Sequence, residues 1–242
     1  MIEIKHVSKT FNRDIKAIDD VDLTIQDGEI VGFIGLNGAG KTTLIKMLTG
    51  VLKPDFGEIL IDGYDIVKQP IEAKKIIGYM ADNPDMFLRL TGIEYIHFLS
   101  DIYQVPEEDR KKRCKELCEK FQLESVLAKP MQGYSHGTRQ KMMVVAALVH
   151  NPKVWILDEP LIGLDPQSSI LLKEMMREHA KAKNTVFFST HVLEIAEKLC
   201  DKIAIIHKGR VIFYGTLDEL KKKYKKSDLE KLFMEVIEDG SV

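Results

Sequence analysis

The sequence contains little cysteine, no long apolar run and no marked excess of charge of either sign. Its 242 residues include three cysteines, Cys114, Cys118 and Cys200. An odd number of cysteines, without a second pair at metal-ligand spacing, argues against a disulfide framework and against a structural zinc site. We therefore expect all three thiols to be reduced, as is usual in a cytosolic protein.

Membrane spans and nucleic-acid binding are also not favoured. The longest apolar segments, such as MMVVAALV, are far shorter than the roughly 20 residues that a membrane-spanning helix needs. The first residues, MIEIKHVSKTF, lack the apolar core of a signal peptide. The net charge of −2 gives no strong attraction to nucleic acid. We expect a chain that does not cross a membrane by itself and has no nucleic-acid partner.

The order of strand and helix patterns predicts an α/β fold. Strand patterns dominate the first third, where Asp62-Gly63 separates two short β runs and predicts a hairpin. Helix patterns fill the middle, where Thr91 and Glu94 form a capping-box pair. The last third alternates strands and helices with short links, which indicates a parallel sheet.

The end of the chain has two further capping-box patterns, Thr216 with Glu219 and Ser227 with Glu230. They predict two short helices. The basic segment KKKYKK between them is either a solvated helix face or, as the less favoured alternative, a contact with lipid headgroups.

A glycine-rich loop follows one predicted strand and opens a predicted helix. Its sequence GLNGAGKTT fits the phosphate-loop pattern with Gly35, Gly40, Lys41 and Thr42. Small residues let a phosphate chain approach the backbone N–H groups, and the helix N-terminus adds positive potential. Lys41 can neutralise the outer phosphates, and the Thr42 hydroxyl can hold Mg²⁺. The alternative is a glycine-rich turn without a ligand.

Two acidic residues end the buried strand pattern VWILDEP. In a phosphate-loop protein, a carboxylate at the end of such a strand is the expected Mg²⁺ partner, which we assign to Asp158. Glu159 is placed one residue further, where it could polarise a water for attack on the γ-phosphate. The alternative is a pair of acids that cap the turn before Pro160.

Two other polar sites follow strands or precede helices. His191 comes after the strand TVFFS and is expected to open a helix, where it could reach the γ-phosphate; otherwise it is a surface or capping histidine. Ser135 precedes an apolar helical run in GYSHGTRQKMMVVAALV. It could simply cap that helix, or it could bind an anion together with the helix N-terminus.

These motifs, taken together and in this order, resemble those of the ATP-binding subunits of ABC transporters over nearly the whole chain. GLNGAGKTT is similar to the Walker A loop, VWILDEP to Walker B, IGLDP around Asp165 to the D-loop, and STH to the switch histidine loop. YSHGTRQ resembles the ABC signature, which in that family closes over ATP bound to a second chain.

The resemblance implies a phosphate-loop NTPase fold with a mostly parallel central sheet, an N-terminal antiparallel β subdomain and an α-helical subdomain. It implies a single domain over residues 1–242. Residues 1–87 and 151–215 would form the core, residues 88–150 a helical lobe, and residues 216–242 C-terminal helices. The implied activity is ATP hydrolysis with Mg²⁺, with catalytic roles for Lys41, Glu159 and His191 and metal-binding roles for Thr42, Asp82 and Asp158.

The resemblance also implies which residues bind ATP. Phe11 would stack on the adenine. Ser135 and Gly137 would act on the nucleotide of the partner chain. The phosphates and metal would be held by the loop residues Asn37, Gly38, Ala39, Gly40, Lys41, Thr42 and Thr43.

The chain departs from the family pattern at several positions. Tyr134, His136 and Thr138 replace the usual Leu, Gly and Gln of the signature, and Ile162 replaces a small polar residue of the D-loop. Asp82 stands where the family normally has Gln. A shorter, charged side chain can still bind Mg²⁺ or a water, but its reach to a membrane subunit is altered.

The implied partners are a separate transmembrane subunit and a second ATP-binding subunit, either identical or different, arranged head to tail. The chain would then lie on the inner face of the cell membrane. The tract PDMFLRLTGIEYIHFL is similar to the drug- and antibiotic-exporter branch. A soluble ABC-type factor acting on ribosomes or DNA, and an unrelated phosphate-loop NTPase, are the alternatives.

Overall fold

The computed structural model describes residues 1–12, 15–85, 87–224 and 233, and within them ten strands form two sheets. The strands are β1 Ile2–Phe11, β2 Ile15–Ile25, β3 Ile30–Ile34, β4 Phe56–Ile61, β5 Tyr64–Asp65, β6 Ile77–Met80, β7 Val154–Asp158, β8 Thr185–Thr190, β9 Lys202–His207 and β10 Arg210–Gly215.

The smaller sheet is antiparallel, with the strand order β2-β1-β4-β5. The predicted hairpin is confirmed, because Asp62 and Gly63 connect β4 to β5 with φ angles of 52° and 84°. Positive φ at both central residues is the geometry that Asp-Gly turns favour in a two-residue hairpin.

The larger sheet has the order β10-β9-β3-β8-β7-β6. The predicted parallel pairing is confirmed for β9, β3, β8, β7 and β6. The edge strand β10 pairs antiparallel with β9, so the sheet is mixed. The parallel strands end at one edge, and ligands of open α/β sheets bind at that edge.

Eight α-helices lie within the described residues: α1 Lys41–Leu48, α2 Pro70–Lys75, α3 Gly92–Ile102, α4 Glu107–Phe121, α5 His136–Leu148, α6 Pro166–Lys181, α7 Leu193–Leu199 and α8 Leu217–Tyr224. A 3₁₀ turn, Met131–Gly133, precedes α5. The elements between β6 and β7 are thus helical, whereas strands and helices alternate after β7.

The caps of three helices follow the sequence patterns. Thr91 and Glu94 form both hydrogen bonds of a capping box at α3, and Thr216 and Glu219 do the same at α8. The carboxylate of Asp165 accepts from the Ser168 N–H at the start of α6. These local bonds satisfy N–H groups that an isolated helix end leaves without partners.

Of two other helix predictions, one differs from the structure and one lies outside the described residues. His191 was expected to open a helix, but α7 begins two residues later, at Leu193. The Val192 N–H instead bonds the Thr190 hydroxyl, so the chain makes a short turn after β8 before it becomes helical. The second helix predicted in the tail, at Ser227 and Glu230, lies outside the described residues.

The core lies on both faces of the larger sheet. Strands β3, β7 and β8 are buried along their whole length, as expected for parallel strands covered by other elements on both faces. Trp155, Phe187 and Phe188 are completely buried there. None of the described helices is long and apolar enough to cross a membrane. The predicted α/β fold with an antiparallel and a mostly parallel sheet is confirmed.

Candidate nucleotide-binding site

The phosphate loop lies between the end of β3 and the start of α1. Gly38 and Gly40 have φ angles of 80° and 114°, a region that residues with a Cβ atom rarely adopt. A Cβ on Gly40 would also lie 2.5 Å from the carbonyl oxygen of Ala17. The loop therefore needs glycine at position 40 for its conformation and for its contact with β2.

A cavity of about 220 Å³ opens at this loop. The cavity lies where the loop meets the segments after two neighbouring parallel strands. Asp82 follows β6 and Glu159 follows β7, and both line the cavity. Its lining consists of Ala17, Asn37, Gly38, Gly40, Lys41, Thr42, Thr43, Asp82 and Glu159. Ala39 does not line the cavity, since its side chain packs into the apolar core under the loop.

The Lys41 side chain is buried and directed toward the loop itself. Its Nζ donates to the carbonyl oxygen of Gly35 at 2.8 Å, and it lies 3.5 Å from Oε1 of Glu159. The lysine charge is thus held at the base of the cavity by a backbone dipole and one carboxylate. A phosphate group entering the cavity would meet this ammonium group.

Asp158 is the last residue of β7 and is buried. Burial is the main cause that raises the pKa of its carboxyl; the nearby hydroxyl groups of Ser189 and Thr42 oppose the shift, and the nearby charges of Asp82 and Glu159 add to it. The Ser189 hydroxyl donates to Oδ1 at 2.5 Å, whereas Oδ2 has no hydrogen-bond partner among the described residues.

The donor set fits Mg²⁺. A buried carboxylate oxygen without a partner, the Thr42 hydroxyl and the Asp82 carboxylate are the hard oxygen ligands that this ion prefers. No cluster of three or more His, Cys, Asp or Glu side chains suited to a metal occurs in the described part of the chain.

Glu159 has an unusual backbone conformation, with a φ angle of 47°. Its N–H donates to the Ser189 hydroxyl at 3.0 Å, which fixes the turn after β7. The partly buried side chain places Oε1 3.0 Å from Nδ1 of His191, and Oε2 has no hydrogen-bond partner in the described structure. Strained conformations at a non-glycine residue occur frequently at functional sites.

Ser189 is a site residue that the sequence motifs did not identify. It lies opposite Asp158 in the pairing of β8 with β7. Its hydroxyl accepts from the Glu159 N–H and donates to the Asp158 carboxylate, so it holds two acidic residues in place. Its sequence signals were its place at the end of a strand and as the first residue of STH, a motif in which only His191 was assigned a role.

The signature residues lie elsewhere on the chain and do not line the cavity. Ser135 caps α5, and its hydroxyl accepts from the Thr138 N–H at 3.2 Å. A Cβ on Gly137 would lie 2.8 Å from the carbonyl oxygen of Gly163, so the signature packs directly against the D-loop of the same chain.

Phe11 ends β1, and 40% of its surface is exposed. The Lys9 ammonium lies 5.9 Å from its ring centroid, and Ala17, not Phe11, lines the cavity toward this sheet. His191 is also exposed, at 44%, and contacts the cavity only through Glu159 among the bonds described. The structure thus brings Asp82, Asp158, Glu159 and His191 close to the phosphate loop, whereas neither Phe11 nor the signature lines the cavity.

Comparisons with known proteins agree with this arrangement. The family model for the ABC transporter matches residues 18–162. The ABC transporter ATP-binding protein NatA of Bacillus subtilis is 36% identical over 244 residues, covering 99% of this chain and 99% of NatA. The daunorubicin resistance ATP-binding protein DrrA3 of Streptomyces coeruleorubidus is 35% identical over 208 residues, covering 86% of this chain and 66% of DrrA3.

Solved structures are similar in both fold and sequence. An ATP-binding subunit of an ABC transporter superimposes with a TM-score of 0.93 at 34% identity, covering 98% of this chain and 99% of its own. The cassette MJ0796, a dimer in a post-hydrolysis state with ADP and Pi, gives a TM-score of 0.81 at 26% identity, covering 90% and 99%. This chain therefore belongs to the ABC transporter family, as one of its ATP-binding, ATP-hydrolysing proteins.

Proposed function

We propose that the chain works as a head-to-tail dimer that hydrolyses ATP and thereby powers a separate transmembrane subunit. The observation that carries this proposal is the separation of two anion-binding features on one chain. The cavity has its own lysine, hydroxyl and carboxylates, whereas Ser135 and the start of α5 line no part of it. A second chain, turned to face the first, would supply that serine to the cavity.

The loop and its neighbours would hold the triphosphate. The backbone N–H groups of residues 37–43 and the N-terminus of α1 would bind its oxygens, and Lys41 would exchange its contact with Glu159 for a phosphate. Thr42, Asp82 and Asp158 would hold Mg²⁺, which neutralises phosphate charge when it is bound. The unpartnered Oδ2 of Asp158 supports this assignment.

Glu159 would accept the proton of the attacking water. Its side chain is inside the cavity lining, and its Oε2 atom is free of protein hydrogen bonds, so it can accept one from water. His191 is bonded to the other carboxylate oxygen. The imidazole would orient Glu159 and, when nucleotide is present, steady the γ-phosphate.

The signature would complete the site in the partner chain. Ser135 caps a helix of 13 residues, His136–Leu148, whose first N–H groups would add positive potential for an anion of the partner's nucleotide. Gly137 would keep the start of the helix close to Gly163, because a Cβ at this position would lie 2.8 Å from the Gly163 carbonyl oxygen. Phe11 would stack on the adenine at the edge of the cavity.

The membrane subunit would dock beside Asp82. Phe87, five residues further along the chain, and Phe98 in α3 are exposed, and Phe87 contacts both the buried Tyr95 and Phe98 at ring-centroid distances of 5.5 Å. Exposed aromatic side chains of this kind are suited to bind a loop of a partner. The chain would then lie on the inner face of the cell membrane, as an ATPase of a drug, peptide or lipid exporter, which the similarity to DrrA3 supports.

The experiment is to purify the chain together with the membrane protein encoded next to it and to reconstitute both in vesicles. The account predicts co-purification and an ATPase rate that responds to the exported compound. Co-sedimentation with ribosomes or DNA, together with no association with the membrane protein, would instead support a soluble ABC-type factor.

A further inference from the structure

A second cavity, of about 390 Å³, lies between α4, the end of α5, β7 and α6. None of the residues that line it lines the cavity at the phosphate loop. It lies on the side of the larger sheet that faces away from α1, because Trp155 packs with α4, α5 and α6 whereas Val154 and Ile156 pack with α1. Small-molecule sites commonly have volumes of about 300–1,000 Å³, so this cavity is large enough for a ligand of its own.

One wall of this cavity has two ring nitrogens without hydrogen-bond partners. Trp155 in β7 is completely buried, and its indole N–H has no acceptor among the described residues. His179 in α6 contacts it edge to face, with the ring centroids 5.6 Å apart, and Nε2 of His179 has no partner there either. Buried indole N–H groups usually have a partner. A ligand with a hydrogen-bond acceptor would supply the one that the protein lacks.

Some of the charged side chains that line this cavity are already paired within the protein. Nη2 of Arg113 donates to Oδ2 of Asp109 at 3.2 Å, and its Nη1 donates to the carbonyl oxygen of Val149 at the same distance. The Glu178 carboxylate lies 3.8 Å from the ammonium group of Lys120. These groups therefore have partners without a ligand.

Lys112 and Glu116 also line the cavity, but neither side chain forms an ion pair or a hydrogen bond within the described part of the chain. They are four residues apart in α4 and so lie on one face of this helix. Leu117, Leu148 and Met175 give the same cavity an apolar wall. Two opposite charges beside an apolar wall suit a ligand that carries both charges and an apolar group.

We propose that this cavity binds a small zwitterion with an apolar side chain, that is, a molecule of the α-amino acid class. Its carboxylate accepts a hydrogen bond from the Trp155 indole N–H and pairs with Lys112, and its ammonium group pairs with Glu116. Its side chain packs against Leu117 and Met175. A bound water could satisfy the two ring nitrogens alone, but it would use neither the apolar wall nor the two opposite charges.

This site is complete within one chain and goes beyond ATP hydrolysis. None of its residues is assigned to nucleotide, to metal or to the signature. The helix α4 belongs to the helical segment between β6 and β7, whereas β7 and α6 belong to the part of the chain that forms the larger sheet and its cover. A bound molecule would contact both parts at once.

Fluorescence titration of the full chain tests the proposal directly, because Trp155 is the only tryptophan of the sequence. L-leucine and L-phenylalanine are added separately in the absence of nucleotide, and calorimetry gives the stoichiometry. We expect a saturable change in the Trp155 emission with at least one of them, at a single molecule per chain. No saturable binding of either amino acid would overturn the proposal and would leave the two ring nitrogens to a bound water.

Analogues of the amino acid that binds test whether both of its charges are recognised. For leucine they are isocaproate, which lacks the amino group, and isoamylamine, which lacks the carboxylate; for phenylalanine they are hydrocinnamate and phenethylamine. Each analogue should bind about 10-fold more weakly than the amino acid, because a hydrogen bond to a charged group is lost. An analogue that binds as tightly as the amino acid would overturn the recognition of a zwitterion.

Variants at the two charges test the assigned residues. Glu116→Gln should weaken binding of the amino acid about 10-fold and leave the affinity for the acid analogue unchanged. Lys112→Gln should weaken the amino acid by a similar factor and leave the amine analogue unchanged. Glu119→Gln and Lys115→Gln are the matched controls, since both residues lie in α4 and neither lines the cavity. Site and control variants with the same affinity would overturn the assignment.

ATPase activity separates this proposal from the proposed function. Neither Lys112 nor Glu116 lines the nucleotide cavity, so Lys112→Gln and Glu116→Gln should both keep ATP hydrolysis, which also shows that they fold. If the amino acids fail to bind while the wild-type chain hydrolyses ATP, the second site is wrong and the ATPase assignment stands.

Discussion

Glu159 and His191 are joined through one carboxylate oxygen, with Oε1 of Glu159 lying 3.0 Å from Nδ1 of His191. The same oxygen lies 3.5 Å from Nζ of Lys41. Oε1 of Glu159 therefore contacts both Lys41, which we assign to binding the phosphates, and His191, which we assign to orienting Glu159. Oε2 has no hydrogen-bond partner among the described residues.

Glu159→Gln should lower ATP turnover about 1,000-fold while ATP binding persists, because an amide cannot accept a proton from water. Dimers that have closed around ATP should then accumulate, and sizing chromatography with ATP and Mg²⁺ would detect them. Glu174→Gln, a change at an exposed position of α6, is the control. A Glu159→Gln protein that stays monomeric at saturating ATP would contradict the assignment.

His191→Ala should lower kcat by about 100-fold, since the carboxylate loses its orienting bond and a general base must be held in place to act. The affinity for ATP should change much less than kcat, because the phosphate loop and Lys41, which line the cavity, remain intact. Stopped-flow binding and steady-state kinetics would separate the two effects. His97→Ala, at an exposed position of α3, provides the comparison. An equal loss in affinity and in kcat would argue that His191 only supports the fold.

Much of this architecture could be predicted from sequence because its signals are local. The phosphate loop needs glycines at fixed positions, and the capping boxes at Thr91 and Thr216 are satisfied within one helical turn. The edge strand β10 was not predicted, although the glycine turn at residue 209 precedes it. Short strands of this kind are defined by the partner that they pair with, which sequence alone does not give.

The details of the site depended on contacts between distant residues. Ser189 meets Asp158 only because β7 and β8 pair in that register. His191 bonds Glu159 because the two residues follow β8 and β7, which are neighbours in the sheet. Arg139 could be assigned no partner from the sequence, since Asp85 is 54 residues away. Periodicity and motif spacing contain no information about these pairs.

Asp82→Gln tests the residue that departs from the family pattern. Removing a carboxylate from the cavity should raise the Mg²⁺ concentration that gives half-maximal ATPase activity, because an amide attracts the ion less than a carboxylate does. It should also change the stimulation of ATPase by the membrane subunit. Asn83→Gln, at the next position, is a nearby comparison. Unchanged Mg²⁺ dependence together with unchanged transport would remove Asp82 from both roles.

Two partly buried histidines predict a loss of stability in mild acid. Burial lowers the pKa of His150 and of His179 from 6.5 to about 4. The Arg113 charge also disfavours protonation of His150. Between pH 6.5 and about pH 4, these histidines bind protons in the unfolded chain but not in the native chain. The free energy of unfolding is therefore highest above pH 6.5 and falls as the pH drops toward 4.

The expected loss is about 2 kcal/mol for each histidine by about pH 5. Urea unfolding at a series of pH values would measure it. His179→Gln should flatten part of the profile, whereas His97→Gln at an exposed position should not. A stability that is constant from pH 7 to pH 5 would contradict the assigned burial.

The most direct test of the head-to-tail dimer mixes two inactive variants, Lys41→Ala and Ser135→Arg. In a mixed dimer, one cavity combines both changes, and the other combines an intact Lys41 with an intact Ser135 from the partner chain. Native mass spectrometry would quantify the mixed dimers while ATPase activity is measured. The account predicts that each variant is inactive alone and that mixing restores ATP hydrolysis in proportion to the mixed dimers. Mixed dimers that form without any recovery of hydrolysis would contradict it.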